Sequence, residues 1–210
     1  MPRVLIANAP LLDEFARSAV YMENVTPLRV MHIDLDYVYD DDPEQMERNL
    51  GQLVQRVADM QINTVFLQAF ADPLGDGLVR SLYFPNRHLP VRADLFNRAA
   101  WQLRTRAFAP VLAWMPVLAG DLPVTLPRVE RWYPDANTHG IDPDQYTRLS
   151  PFDPGVRRVI TEIYQDLARH ALIDGVLFHD DAMMTDFEDV SPPARAASRA
   201  PGLPSGIRRL

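Results

Sequence analysis

Cysteine is absent from the 210 residues, which excludes a disulfide framework and any cysteine-ligated metal while leaving the redox compartment open. Basic clusters are scarce. With a formal net charge of −7 and no concentrated Lys/Arg face before the last few residues, the chain is ill suited to a phosphate backbone, so no nucleic-acid partner is expected. An acidic surface suits neutral or cationic ligands instead. Long apolar runs are missing too. The stretch Val4 to Leu12 contains Asn8 and Pro10 and leads straight into Asp13 and Glu14, so it is too short for a membrane span and poor as a secretory signal. No GxGxxG or GxxxxGK occurs, GDG at 75–77 is too short for a phosphate cradle, and no serine sits in a nucleophile-elbow context.

What remains reads as one globular domain. The 47% hydrophobic and 23% charged residues are ordinary for a folded chain of this length with its own core. Residues 1–28 form a lead-in, with an amphipathic piece around Leu11 to Val20 and Pro27 as punctuation before the first strong strand. That strand is RVMHIDLDYVY; DDDP turns the chain, and a helix follows from about Glu44 to Met60 with Asp42 as cap and Pro43 in its first position. The pattern then repeats. NTVFLQAF (63–70) predicts a second strand, and a helix over 93–107 aligns Leu95, Ala99 and Leu103 on one face. PVLAWMPVLAG (110–120) predicts a third strand, a helix runs from Pro154 to about Ala171, and DGVLFHD is a fourth strand.

Strands alternating with amphipathic helices predict an α/β fold of parallel βα units, either a small open sheet or about the first half of a (β/α)8 TIM-type barrel. The loops after the strands are long and rich in Asp, Tyr and Trp, whereas the helix-to-strand turns are short, so function is expected at the C-terminal ends of the strands. Residues 191–210, SPPARAASRAPGLPSGIRRL, hold four prolines, four arginines and no acid. They read as a disordered tail, and the abrupt change suits a truncated or frame-shifted end.

Alternation along MHIDLDY puts His32, Asp34 and Asp36 on one face and Met31, Ile33 and Leu35 on the other. Two unpartnered buried carboxylates would cost several kcal/mol, so a wet site is expected there; the plainer alternative has Asp36 capping a turn and Asp34 pairing with an arginine. In FHDDA, alternation puts Phe178 and Asp180 on one side and His179 and Asp181 on the other, which predicts different roles for adjacent acids: one in a pocket, the other in support. Both could instead cap the segment. Aromatics follow the strands at Tyr37, Tyr39, Phe70, Tyr83, Trp114, Trp132 and Tyr133, and acids beside aromatic planes suit sugar rings. His32, Asp34, His179 and Asp180 could ligate a divalent ion, but with no HExxH and no compact histidine cluster neither metal nor cofactor is expected.

From Arg29 to Asp189, the strings RVMHIDLDYVYD, INTVFLQAFADPLGDGLV, YFPNRHLPVRADLFNRAAWQLRTRA, AWMPVL, YTRLSPFDPGVRRVI and DGVLFHDDAMMTDFED resemble the C-terminal glycoside hydrolase domain of PgaB-type poly-β-1,6-N-acetylglucosamine deacetylases of Gram-negative biofilm systems. The resemblance implies that 29–190 is part of a (β/α)8 barrel. In that family the barrel follows a separate deacetylase domain and cleaves partially de-N-acetylated poly-β-1,6-N-acetylglucosamine. The resemblance marks Asp180 and Asp181 as catalytic candidates and Asp34 and Asp36 as lining the sugar site; of the two catalytic candidates, strand-face alternation favours Asp180 for the scissile bond. The substrate-binding candidates are His32, Asp34, Asp36, Tyr37, Gln68, Tyr83, Trp114 and His179. Val176 and Phe178, sharing a face with Asp180, would give it an apolar setting and a raised pKa. The deacetylase domain and its metal motif are missing from this chain, so deacetylation is not expected of it. The family's barrel continues past DFED, so open strand edges and self-association are expected, together with a periplasmic or outer-membrane-associated address. The alternatives are a noncatalytic carbohydrate-binding module and a metal-dependent polysaccharide hydrolase using His32 and Asp34.

Overall fold

The computed structural model describes residues 27–199 apart from 123, 124 and 146; the amphipathic piece around Leu11 to Val20 and residues 200–210 lie outside them. Four parallel strands form the central sheet: β1 (Val30–Ile33), β2 (Thr64–Gln68), β5 (Val111–Met115) and β8 (Gly175–Phe178), in the order β1-β2-β5-β8. Two short antiparallel pairs lie in the connections, β3 (Phe70–Ala71) with β4 (Ser81–Leu82) and β6 (Arg131–Tyr133) with β7 (Thr138–Gly140). Each sheet strand lies beside the one before it, without the reversal of order that marks a doubly wound open sheet. These are four successive βα steps of the (β/α)8 type, and strand order decides what length alone leaves open.

Helices α1 (Pro43–Asp59), α2 (Phe96–Arg106) and α3 (Pro154–His170) begin where local chemistry dictates. Asp42 accepts the Glu44 N–H at 3.0 Å and Asp153 accepts that of Val156 at 2.9 Å, each followed by a proline at the first helical position. Leu50, Val54 and Val57 of α1 and Val156, Ile163 and Leu167 of α3 are the buried apolar stripes. With Phe96, Ala99, Ala100 and Leu103 of α2 they form one core with Val65, Leu67, Val111, Ala113 and Met115, the buried apolar residues of β2 and β5. Register puts His32 beside Phe66 and Gln68 beside Trp114 on the opposite face, turned toward the barrel axis.

All four strands are shorter than the sequence predicts, the second ending at Gln68 instead of Phe70. The first stops at Ile33 and the chain winds into a 3₁₀ turn over Leu35–Tyr37, so strand alternation does not reach Asp36. The third stops at Met115; Pro116 has no N–H to give the ladder, and the amides that follow turn to Asp181 instead. The fourth stops at Phe178, with a 3₁₀ turn over Asp180–Ala182.

The expected disordered tail begins as ordered chain. Pro192–Ser198 form a short helix, α4, with Ser191 and Ala194 buried. Asp189 accepts the Ser150 and Ser191 hydroxyls at 2.6 and 2.9 Å and the Ser191 N–H at 2.7 Å. Two prolines are at home in a first helical turn, and ARAAS continues it, so proline count alone misreads this segment.

Candidate functional site

An open cleft of about 480 Å³ lies at the C-terminal ends of β1, β2 and β5, lined by Asp34, Asp36, Tyr37, Gln68, Phe70, Asp72, Arg92, Trp114 and His179 among others. Its volume falls in the range of ligand sites. Two fixed polar clusters frame it.

The first cluster centres on Asp36. Its Oδ1 accepts the Tyr83 hydroxyl at 2.6 Å and Arg92 NH1 at 2.5 Å, and its Oδ2 accepts Gln68 Nε2 at 3.1 Å and the Asp72 N–H at 2.9 Å. One carboxylate thereby ties together the loop after β1, the end of β2, the ADPLGDG loop and β4. Tyr83 is wholly buried; burial first, then the Asp36 bond, pushes its hydroxyl far above the usual phenol range. Arg92 lies 4.2 Å over the Tyr39 ring, a cation–π contact that fixes the guanidinium.

Asp34 differs from Asp36. It is half-buried, and burial, aided by Asp36 and Asp72, raises its pKa while neighbouring His32 opposes the rise. His32 is lowered, first by burial and also by His179, with Asp34 acting against both. Trp114 lies between the two histidines and meets Phe70 edge-on at 4.9 Å. Tyr37 stands at the rim, 85% exposed, an aromatic plane open to solvent.

The second cluster centres on Asp181. Buried to 1% exposure, it accepts the backbone N–H groups of Val117 (3.0 Å), Leu118 (2.5 Å) and Ala119 (2.7 Å). Asp180 is its opposite: its carboxylate is 71% exposed, with Oδ1 2.8 Å from His179 Nδ1.

Of the residues singled out from the sequence, Asp34, Asp36, Tyr37, Gln68, Trp114 and His179 line the cleft, and His32, exposed on strand β1, packs against Trp114. Tyr83 reaches the cleft through Asp36 and Arg92, which its hydroxyl bonds at 2.6 and 3.1 Å. Asp181 is turned away into the loop after β5, and Asp180 meets the cleft through His179. The apolar setting expected for Asp180 is not found, because Val176 and Phe178 pair with Ala113 and Met115 on the helix side, where Phe178 meets Tyr164 of α3 at 5.8 Å. Trp132 and Tyr133 belong to the β6–β7 hairpin, outside the cleft lining. Sequence reasoning missed Asp72 and Arg92. Asp72 stands in a loop already marked as functional, whereas Arg92 offers no signal beyond being a lone cation in LPVRADLF.

Residues 32–210 match the hypothetical glycosyl hydrolase family 13 (GHL13). Over all 210 residues the chain is 54% identical to the poly-beta-1,6-N-acetyl-D-glucosamine N-deacetylase of Escherichia coli K12, of which it spans 31%; the protein of that name from Escherichia coli O157:H7 gives the same figures. The solved PgaB (BpsB) glycoside hydrolase domain from Bordetella bronchiseptica superposes with a TM-score of 0.76 at 53% identity, covering 87% of this chain and 52% of that one. A hypothetical protein from Ruminiclostridium thermocellum, 13% identical with a TM-score of 0.51 over 77% of this chain and 80% of that one, shares the fold alone. The family match runs through the compositional break at 191, so that break belongs to the family and not to a shifted reading frame. Matched over most of its length, the chain belongs to the hypothetical glycosyl hydrolase family 13.

Proposed function

We propose that this chain is part of a glycoside hydrolase acting on partially de-N-acetylated poly-β-1,6-N-acetylglucosamine, with Asp180 the carboxylate at the scissile bond. The observation that carries the reading is the cleft: a half-buried acid, Asp34, and an open aromatic plane, Tyr37, in one groove. The solved relative described as a glycoside hydrolase domain has the same arrangement of βα units. A sugar's C–H face stacks on the ring, and its hydroxyls or ammonium group bond the acid. Hydrolysis rather than deacetylation is the reading, since that relative covers most of this chain while the deacetylase is matched over a minority of its length. Asp181, its oxygens taken up by three amides, serves Asp180 by fixing the turn that bears it.

Incubation with partially deacetylated polymer tests this. Release of oligosaccharides supports it; retention of polymer without cleavage moves the chain to the noncatalytic binding reading. That second reading draws on one observation, the engagement of Asp181, because glycosidases ordinarily need two carboxylates at the bond. Activity that disappears in excess chelator would favour the metal-dependent alternative at His32 and Asp34.

The address we propose is periplasmic or outer-membrane-associated, in keeping with the family resemblance; no helix among the described residues is long and apolar enough to cross a membrane. Among the described residues β1 and β8 are paired on one side only, and we expect the isolated chain to self-associate through them. Sedimentation showing a monomer across concentration would reject that.

A further inference from the structure

Asp180 is held twice, once through its backbone and once through its side chain. Its backbone belongs to the turn Asp180–Ala182, which Asp181 fastens to the amides of Val117, Leu118 and Ala119. Its exposed carboxylate would otherwise be free to rotate, since solvent imposes no orientation on a carboxylate. His179 Nδ1 lies 2.8 Å from Asp180 Oδ1, and the His179 ring is itself braced: it stacks on Trp114 with centroids 5.4 Å apart and 26° between planes. Trp114 is held in turn by His32 edge-on at 4.1 Å and by Phe70 at 4.9 Å. A rigid row of rings thus runs from the β1 end of the sheet to the acid at the β8 end.

We infer that His179, braced on Trp114, is a positioning residue that aims the Asp180 carboxylate into the cleft. The inference rests on the reading of Asp180 as the acid at the scissile bond. Asp180 lies at contact distance from His179, and His32 lies beyond the indole. With its ring fixed by the stack, His179 Nδ1 at 2.8 Å limits the orientations open to the Asp180 carboxylate. A displacement of about 1 Å at a reacting group can cost on the order of 100-fold in rate, so an acid on an exposed turn needs such a brace.

Two measurements on the protein carrying this sequence test the inference. In NMR spectra of the histidine rings, Asp180→Asn should move the ring-proton resonances of His179; unmoved resonances overturn the pairing, whether or not the protein cleaves polymer. In cleavage assays His179→Asn should lower kcat about 10- to 100-fold with little change in KM. It should add no further loss in an Asp180→Asn background. Trp114→Leu should fall with His179→Asn, while Trp114→Phe, which keeps a ring for the stack, should lose less. Undiminished kcat in His179→Asn, or losses that multiply in the double variant, would overturn the inference. A wild-type protein that leaves the polymer intact rejects the hydrolase reading instead, and the ring spectra still decide the pairing.

Discussion

Asp181 accepts the Ala119 amide proton at 2.7 Å across 62 residues of sequence. With the Val117 and Leu118 amides on the same carboxylate, the bond joins the turn after β8 to the loop after β5. The carboxylate takes up the amides that follow Pro116, where the third strand has ended. Asp181→Ala leaves three amides in a buried place without an acceptor, and hydrogen bonds to a charged group are worth about 1.5 to 3 kcal/mol each. Since losses at one site do not add fully, the expected destabilisation is about 3 to 5 kcal/mol. Urea unfolding of the two proteins measures it, and a difference below about 1 kcal/mol would show that the loop has another anchor.

At the opposite side of the cleft, Asp36 and Tyr83 should behave as one unit. Tyr83→Phe removes a 2.6 Å hydrogen bond to Asp36 and the 3.1 Å bond accepted from Arg92 but leaves Arg92, Gln68 and the Asp72 amide on the carboxylate. Asp36→Ala takes the shared acceptor from all four. A double-mutant cycle on unfolding free energy should therefore give a coupling of about 1 to 3 kcal/mol between them, with Asp36→Ala the larger single loss. Strict additivity would mean that the hydroxyl contributes nothing through this carboxylate.

Legibility from sequence follows the length scale of the interaction. The four βα steps were readable because their signals are local: apolar stripes at helical spacing, and Asp-Pro pairs at 42–43 and 153–154 that cap and start α1 and α3. The cleft was readable in outline, since strand ends and long loops say where it must lie. Individual roles were not, because they depend on partners far away in sequence. Asp36 resembles Asp34 until Tyr83 and Arg92 arrive, and Asp181 resembles Asp180 until the amides of 117–119 do. Period-2 alternation also fails once a strand stops, as it does at Ile33 and at Phe178.

The His32 and Asp34 pair should leave a signature in stability against pH. Burial is the main cause at both residues, lowering His32 from 6.5 and raising Asp34 from 3.8. For His32 the unfolded chain binds the proton more readily, so stability is lost as pH falls below 6.5 and through the folded value. For Asp34 the folded chain binds it more readily, so its contribution worsens as pH rises from 3.8 through the raised value. Expected outcomes follow from these signs. His32→Gln should flatten the loss on the acid side of 6.5, and Asp34→Asn should gain on wild type as pH rises above 3.8. Melting temperatures across that range decide it; parallel curves for all three proteins would remove both groups from the account.

Tyr37, 85% exposed at the rim, carries almost no packing. Tyr37→Ala should leave the melting temperature within error. Polymer retention should weaken by roughly 0.5 to 1.5 kcal/mol, the worth of an aromatic stacking contact, or about 2- to 10-fold in Kd. Affinity electrophoresis on polymer reads this directly, and unchanged retention would place the sugar chain elsewhere along the cleft.

The two adjacent aspartates should separate under one conservative change. Asp180→Asn alters an exposed side chain, so stability should stay within about 0.5 kcal/mol of wild type, while the carboxamide can neither donate an acidic proton nor act as a carboxylate nucleophile. Cleavage should fall at least 100-fold with polymer still retained. Asp181→Asn should do the reverse in stability: its carboxamide turns an N–H₂ toward amides that need acceptors, costing about 2 kcal/mol or more, and activity should fall only as far as the turn bearing Asp180 is displaced. Measuring unfolding and cleavage on both variants gives four numbers. Normal cleavage by Asp180→Asn, with a loss in Asp181→Asn greater than its unfolding accounts for, would exchange the two roles and make the buried acid the reactive one.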